Sequence, residues 1–315
     1  MTAFALTLVL IAAVLHATWN LCAKRAGGGL PFVALVSLII CVCYVPVLAG
    51  YWVLYRPELS AGAVVWIIGS GVLKTGYSLF LQRSYRVGDF SLIYPLARGT
   101  GPLLSTLAAI ALLGERPSPL AIAGGVVIIT AIFWMTGGFS IARRLPGLRT
   151  VGASGGGSAP DQTEQDVKAE TARLALYRAI RYGIGSGLFI ASYTLWDRRG
   201  VHTLGIPPVI YDAGTAFCIL AATLPLAVRR WPEVTRHWRE HRLEAFGMAI
   251  LSPAAYVLVL TAMQFTPVSY VAPAREVSIV IGAFIGAKYL KEADGKRRVW
   301  AAVAMAAGVI ALALG

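Results

Sequence analysis

The sequence predicts an all-α membrane protein with ten transmembrane helices arranged as two inverted five-helix repeats. The first observation is the composition: 57% of the 315 residues are hydrophobic and 14% are charged, whereas a soluble domain has about 45–50% apolar and about 25% charged residues. The second is a series of apolar blocks close to the roughly 20 residues that a helix needs to cross about 30 Å of hydrocarbon. The third is a repeated spacing of 177 residues, as between Trp19 and Trp196.

Ten apolar blocks account for most of the chain. The first has no positive charge before it and is longer than the hydrophobic region of a signal peptide, so we interpret it as a span. The third block contains a charged residue, Lys74. The predicted spans are 2–23, 32–52, 63–82, 90–113, 119–138, 175–196, 208–228, 243–263, 268–290 and 298–314.

A polar interval at 139–174 separates the fifth block from the sixth. Its segment VGASGGGSAPDQTEQDVKAETAR is small, polar and charged, a composition typical of a flexible linker that buries no core. The sequence therefore predicts a first five-helix repeat at 1–138, a linker at 139–174 and a second five-helix repeat at 175–315.

The two halves repeat uncommon residues at one constant spacing. A repeat with an odd number of spans places its second copy upside down relative to the first. Inverted repeats that meet at the bilayer midplane are a transporter architecture, with the substrate site between them. The matched pairs are Trp19 and Trp196, Pro31 and Pro208, Arg98 and Arg275, and Glu115 and Glu292, with Asn20 opposite Asp197.

A pattern of small residues also recurs in the two halves. Gly282 and Gly286 fall opposite Ser105 and Ala109, and small residues four apart let membrane helices pack closely. This face would suit either internal packing or contact with a second copy. Both a monomer and a homodimer are therefore open.

Three passages resemble the EamA-type transporters of the drug/metabolite transporter superfamily. They are LHATWNLCAKRAGG at 15–28, SLIYPLARGTGPLLSTLAAIALLGERPS at 91–118 and, more loosely, TPVSYVAPAREVSIVIGAFIGAKYLKEAD at 266–294. The resemblance implies a ten-helix carrier of small metabolites, often moved outward, and we expect a multi-pass protein of a bacterial inner membrane. The sequence departs from the pattern where Lys291-Glu292 replaces the Gly-Glu of 114–115, and its linker is longer than expected.

Basic residues lie mainly in the loops after the odd-numbered spans. The net charge of +13 comes from residues between apolar blocks, without the aromatic-plus-basic motif of a nucleic-acid-binding module. We interpret it as topological charge beside an anionic bilayer, with no nucleic acid as partner. By the positive-inside rule the termini would lie outside, whereas members of the superfamily are usually drawn with both termini inside. The orientation stays open.

Arg98 and Arg275 are candidate substrate-binding residues. A guanidinium within a span is costly, and such residues usually face a bundle interior or a water-filled cavity. Pro95 precedes Arg98 and Pro273 precedes Arg275, and the Gly- and Pro-rich surroundings of Arg98 mark a point at which the helix can break. The alternative is that each arginine is paired with an acidic residue, such as Asp197 or Asp212 from another helix, and joins helices. Glu276 adjoins Arg275 but points about 100° away around a helix.

Other polar residues within the spans are weaker candidates for the same cavity. His16, Trp19 and Asn20 share one helical face, and Tyr193 and Trp196 occupy matching places in the second half. Tyr77, Tyr211 and Tyr256 are further candidates, although aromatic residues in spans more often serve in packing.

Four residues are candidates for proton coupling or for gating. His16 and Asp197 are the proton-coupling candidates, and Arg198 and Arg199 beside Asp197 suggest a place near the membrane interface. Glu115 and Glu292 lie about 25 Å along the helix from the arginines. We expect these two glutamates to be structural caps or gate contacts.

The sequence gives little support to an enzyme. It has no CxxC, HExxH or GxSxG motif and no phosphate-binding loop. Cys41 and Cys43 are two residues apart, about 200° around a helix, so they do not converge on a metal. We therefore predict no metal, no cofactor and no ATP-driven pump.

The prediction for function is a secondary transporter, most simply an exporter, of a small polar metabolite. Guanidinium groups pair well with oxyanions, so an amino acid or another carboxylate- or phosphonate-bearing compound would suit Arg98 and Arg275. An organic cation would need free acids, and the spans hold more cations than obvious free acids. The alternative is a membrane-embedded enzyme or flippase component that uses His16 and Asp197 on a lipid head group.

Overall fold

The first half of the chain forms five helices. In a computed structural model the described residues are 1–27, 29–87, 90–136, 160–279, 281 and 295–315, and every regular element among them is helical. Pro31 lies in the first turn of the second helix, where its missing N–H costs no hydrogen bond. The helices are α1 (Ala3–Arg25), α2 (Leu30–Tyr55), α3 (Ala61–Val87), α4 (Phe90–Leu113) and α5 (Pro119–Thr136).

The second half repeats this order with one added helix. Pro208 starts α7 as Pro31 starts α2, which gives a structural reason for this pair of prolines. Among the described residues the elements are α6 (Pro160–Arg198), a π-helical turn (Arg199–Thr203), α7 (Pro208–Arg229), α8 (Trp231–Glu240), α9 (Arg242–Phe265), α10 (Val268–Arg275) and α11 (Gly295–Leu314).

The added helix α8 connects α7 and α9 and is amphipathic. Val234 is buried against α2, whereas Trp231 and Trp238 are exposed. Arg236 and Arg239 lie on the same short helix. Its polarity and its length of 10 residues place it outside the membrane-spanning segments, because a span needs about 20 residues.

Five described helices are long and apolar enough to cross a membrane. They include α2, α7 and α9 over their full lengths, together with Ala3–Ala23 of α1 and Ala61–Leu81 of α3. Shorter apolar helices occur at Thr100–Leu113, Pro119–Trp134 and Val303–Leu314. The protein is thus an all-helical, multi-span membrane protein in its described part. These helices do not by themselves establish the predicted total of ten spans.

Three local features differ from the sequence-based expectation. Residues 160–174, expected in a flexible linker, form the start of α6, because Pro160 at its start is followed by helix-favouring Gln, Glu, Lys and Ala residues. Helix α4 runs unbroken through Arg98, so the expected break is wrong there. The break lies in the second half instead, where α10 ends at Arg275 within the predicted ninth span.

The helix contacts are consistent with a two-fold relation between the halves. This two-fold exchange pairs α1 with α6, α2 with α7, α3 with α9, α4 with α10 and α5 with α11. The pairs α3–α6, α3–α7 and α4–α6 then become α9–α1, α9–α2 and α10–α1, and all six pairs are in contact. The pairs α2–α7, α4–α10 and α5–α11 are their own counterparts and also pack. The amino group of Met1 donates to the Ala313 carbonyl at 3.3 Å, so both ends of the chain lie together.

Candidate functional site

A buried carboxylate, Asp197, lies at the centre of the best-defined polar site. It is fully enclosed in the last turn of α6. The Lys74 ammonium on α3 lies 3.2 Å from its Oδ2. Hydroxyl groups from three further helical positions donate to it: Ser70 at 2.5 Å, Tyr211 at 2.9 Å, and Tyr256. We call these five residues the polar cluster.

The polar cluster satisfies the requirements of a buried charge. Taking a carboxylate out of water is costly unless it is paired and hydrogen-bonded, and Asp197 has one cation and three hydroxyl donors. Ser70 and Lys74 are four residues apart on α3, so one face of that helix supplies both. The ammonium also lies 4.1 Å from the ring centroid of Tyr256 and 5.8 Å from that of Tyr211, where the negative faces of the rings attract a cation.

A second buried carboxylate, Asp212, lies next to the cluster on α7. Its Oδ2 accepts a hydrogen bond of 2.6 Å from the Tyr44 hydroxyl on α2. The Lys74 Nζ lies 3.4 Å from the Thr215 hydroxyl, which in turn donates to the Asp212 carbonyl at 2.9 Å. Lys74 is therefore the one described cation that lies between two buried aspartates.

A pair of tryptophans holds α3 against α6 beside the cluster. The rings of Trp66 and Trp196 stack with centroids 4.1 Å apart. Each indole N–H donates to the backbone carbonyl of the other residue, both at 2.8 Å. A Cβ at Gly200, in the π-helical turn, would lie 2.5 Å from the Tyr211 ring and 2.7 Å from Trp66. These contacts fix the distance between the helices that carry Lys74 and Asp197.

Arg275 has an acidic neighbour. Its Nε lies 3.5 Å from Oε1 of Glu276, and both side chains are buried. The expectation that Glu276 points away from it is wrong, because α10 ends at Arg275 and the chain turns. The helix α10 that ends at Arg275 packs against α9, the helix of Tyr256. Glu276 therefore balances part of the charge of Arg275, which weakens the prediction that Arg275 binds an anionic substrate group.

Glu115 contacts the other half of the protein. Its two carboxylate oxygens accept hydrogen bonds from the backbone N–H groups of Val268 and Ser269, at 2.8 and 2.9 Å. Unpaired N–H groups at a helix start favour a negative charge, so Glu115 caps α10. Pro273 lies buried within the same helix.

Several predicted residues fall outside the described part of the structure. The side chains of Arg98 and Pro95 do so although α4 contains their backbone, and Glu292 does so entirely.

The remaining predicted residues form two smaller groups. On α1, the ring of Trp19 packs edge-on against His16 at 4.8 Å, and the Asn20 amide donates to the His16 carbonyl at 2.7 Å. Tyr77 and Tyr193 meet edge-on at 5.8 Å between α3 and α6. The second group lies beside the polar cluster, because Tyr193 is four residues before Asp197 on α6.

The sequence did not indicate how four residues contribute to the site. Ser70 and Tyr44 gave no local signal, because a hydroxyl in an apolar helix resembles many others, and Asp212 was considered only as an acidic partner for an arginine. Lys74 did give a signal, since an ionisable residue within a span is a functional candidate by default. The described cluster holds two acids for one lysine, so the expectation of more buried cations than free acids does not hold there.

The comparisons with known proteins agree with this architecture. The model of the EamA-like transporter family matches residues 3–137 and again 178–314. A solved crystal structure, described only as that of a protein, is similar with a TM-score of 0.69 over 98% of each chain at 18% identity, which shows a shared fold alone. No curated protein matches the sequence significantly.

Proposed function

Because the chain belongs to the EamA-like transporter family, we propose that it is a secondary transporter that exports a small polar metabolite with an ammonium group, such as an amino acid. The polar cluster is the proposed substrate site. Its helices come from both halves, with α3 from the first and α6, α7 and α9 from the second. A movement of one half against the other would open and close such a site, as in alternating access.

The position of the Lys74 ammonium is the single observation that carries this proposal. It lies 3.2 Å from the Asp197 carboxylate and 4.1 Å from the Tyr256 ring centroid. A carboxylate and an aromatic face together form a site that accepts an ammonium ion. The lysine therefore marks where a substrate ammonium would bind once Lys74 moved aside.

An amino acid also has a carboxylate, which needs a cation. The helix α10, which ends at Arg275, packs against α9, which carries Tyr256, and against α6, which carries Asp197. A guanidinium can bind a carboxylate through two parallel hydrogen bonds. We propose that Arg275 serves the carboxylate end while its neighbour Glu276 keeps the empty site neutral.

Counterflow in proteoliposomes tests the proposal. Vesicles preloaded with one unlabelled solute would receive its radiolabelled form, over a panel of amino acids, amines, carboxylates and phosphonates. We expect exchange of at least one ammonium-bearing solute, and a loss of about tenfold or more in Asp197→Asn, since one bond to a charged group is worth about 1.5–3 kcal/mol. Arg275→Ala should impair amino acids more than simple amines.

The controls separate the alternatives. Glu58→Gln, at an exposed position, should exchange solute as the unchanged protein does. Exchange that survives Asp197→Asn would contradict the proposed site. A solute or lipid recovered in chemically altered form would instead support the membrane-embedded enzyme.

A further inference from the structure

The polar cluster and Asp212 together contain two carboxylates but one ammonium group. Asp197 and Asp212 are 0% and 8% exposed, and Lys74 is 3.2 Å from the first. Asp212 experiences the charges of both Lys74 and Asp197. If both aspartates were ionised, one buried negative charge would have no cation of its own. A buried group in that position takes up a proton rather than remain charged.

The hydrogen bonds decide which aspartate carries the proton. Asp197 has four donors, namely Lys74 and three hydroxyl groups, and all of them stabilise the ionised form. Asp212 has one side-chain donor, the Tyr44 hydroxyl at 2.6 Å, and no cation within 4 Å among the described residues. The proton therefore belongs on Asp212 in this arrangement.

Among the side chains around Asp212, Lys74 is the one that can change whether Asp212 holds a proton. The nearby π-helical turn contributes no charge there, because Gly200 is the residue that packs on the Tyr211 ring. The titratable side chains around the two aspartates are Cys41 and Tyr44 on α2, Lys74 on α3, Tyr193 on α6, Tyr211 on α7, Tyr256 on α9 and, beyond Tyr256, Arg275 on α10.

We propose that Asp212 is a proton-binding site, and that Lys74 moves from Asp197 to Asp212 when a substrate ammonium occupies Asp197. The proposal rests on the proposed transport function. In the empty site Lys74 balances Asp197 and Asp212 is protonated. When the substrate ammonium replaces Lys74, the lysine ammonium stabilises ionised Asp212, the Asp212 O–H bond breaks, and the proton leaves to water. One substrate ammonium thus enters as one proton leaves. The summed charge of Asp197, Asp212, Lys74 and any bound ammonium is the same before and after the exchange.

The structure supports this movement of Lys74. Its ammonium already touches the Thr215 hydroxyl at 3.4 Å, and that hydroxyl is bonded to the Asp212 backbone. The lysine side chain is long and flexible, so it can turn between neighbouring acceptors without a shift of α3. An exporter driven by proton entry requires this kind of competition between substrate and proton.

Infrared spectroscopy of the purified full-length protein tests the proton site without any substrate. A protonated carboxyl group has an absorption band that a carboxylate lacks. We expect this band at neutral pH in the unchanged protein and its loss in Asp212→Asn. A band that persists unchanged in Asp212→Asn would overturn the assignment, because the proton would then reside elsewhere.

Two further variants test the movement of the lysine. Asp197→Asn removes the carboxylate partner of Lys74, as a bound ammonium would, so Lys74 should turn to Asp212 and the band should disappear. The double variant Lys74→Met/Asp197→Asn leaves Asp212 with no lysine, and the band should return to its original intensity. A band retained in Asp197→Asn, or absent from the double variant, would refute the lysine exchange.

A last variant protects the test against misfolding. Should Asp212→Asn not fold, as judged by size-exclusion chromatography, Tyr44→Phe removes only the donor to Asp212 and should shift the frequency of the same band. An unshifted band would contradict the assignment. Since no arm needs a transported solute, failure of counterflow and failure of this pattern are separate results.

Discussion

Two junctions that the two-fold exchange relates differ in polarity. The polar cluster lies where α3 meets α6 and α7, and its counterpart lies where α9 meets α1 and α2. In the counterpart, Ala34 and Leu35 fall opposite Tyr211 and Asp212 at the 177-residue spacing. They are buried with Ala245 and Ala249 of α9 in one hydrophobic cluster. We call these four residues the apolar junction.

The difference shows that the two halves share their helix packing but not the polar side chains at this junction. Proline starts α2 and α7 alike, and both junctions are well packed. Replacing a buried ion pair by apolar residues is often neutral or stabilising. At the 177-residue spacing the counterparts of Lys74 and Asp197 are Leu251 and Asn20, which are uncharged. The charges of the polar cluster are therefore best explained by function, which is consistent with a transporter whose substrate site is asymmetric.

The largest effect is expected from Lys74→Met. It leaves the Asp197 carboxylate buried without a cation, which costs about 3–5 kcal/mol of folding free energy. The measurement is thermal unfolding in detergent. Leu35→Met at the apolar junction is the matched control, because a volume-conserving apolar change usually costs less than about 1.5 kcal/mol.

Removal of both charges sharpens the same comparison. Lys74→Met/Asp197→Asn removes both charges, so most of the stability lost in Lys74→Met should return, whereas exchange should be lost with the Asp197 carboxylate. A double variant as unstable as the single one would mean that the pair itself, rather than an unpaired charge, stabilises the fold.

A smaller effect is expected from Tyr256→Phe. The change removes one hydroxyl donor to Asp197 but keeps the ring beneath the ammonium. A hydrogen bond to a charged group is worth about 1.5–3 kcal/mol, so solute affinity should fall by about tenfold or more, as measured by counterflow at a series of concentrations. Tyr55→Phe, at an exposed tyrosine, should leave affinity unchanged, and equal effects of the two would contradict the assigned role.

Glu115→Gln tests the framework that both junctions share. The amide keeps the shape of the side chain but loses the charge that faces the start of α10. Loss of a helix cap costs about 0.5–2 kcal/mol, so thermal unfolding should occur at a lower temperature. Exposed Glu58→Gln is the control, and a drop of the same size there would argue against the cap.

The smallest effect concerns a histidine beside the apolar junction. His237 on α8 packs against Phe32 with ring centroids 5.6 Å apart. Burial, followed by the nearby positive charge of Arg236, lowers the pKa of His237 below its ordinary value of 6.5. Because the unfolded chain binds the proton more readily, this contribution to stability is complete above pH 6.5 and is lost as the pH falls through the folded pKa.

The measurement for His237 is the unfolding temperature as a function of pH. His237→Gln should reduce the loss of stability on acidification, whereas His202→Gln at an exposed position should not. An unchanged profile in His237→Gln would show that other groups cause the acid sensitivity.

The sequence predicted the helical fold and its repeat better than the site. Long apolar blocks and the spacing of Pro31 and Pro208 reflect local helix geometry, which sequence patterns report directly. The two-fold relation follows from those patterns, and the helix contacts agree with it. The sequence did not predict the additional length of α6. The small, polar composition of the segment indicated a linker, although its last part contains helix-favouring residues.

The site could be predicted only in part, because its partners are distant in the sequence. Asp197, Tyr211 and Tyr256 were named as separate candidates, but the lysine that joins them is 123 residues before Asp197. The neighbouring arginines suggested a place near the membrane interface for Asp197, and the packing of α3 on α6 adds that it is enclosed by protein. For Arg275, the end of α10 brought Glu276 within reach, which an uninterrupted helix would not allow.

Ligand-dependent thermal stabilisation tests the central claim, that the Lys74–Asp197 pair is the substrate site. The unchanged protein and Lys74→Met/Asp197→Asn would be heated with each solute of the same panel. A ligand at 100 times its Kd stabilises a folded protein by about 2.7 kcal/mol, so an ammonium-bearing solute should raise the unfolding temperature of the unchanged protein and leave that of the folded double variant unaltered. An equal rise in both proteins would place the binding site elsewhere and contradict the account.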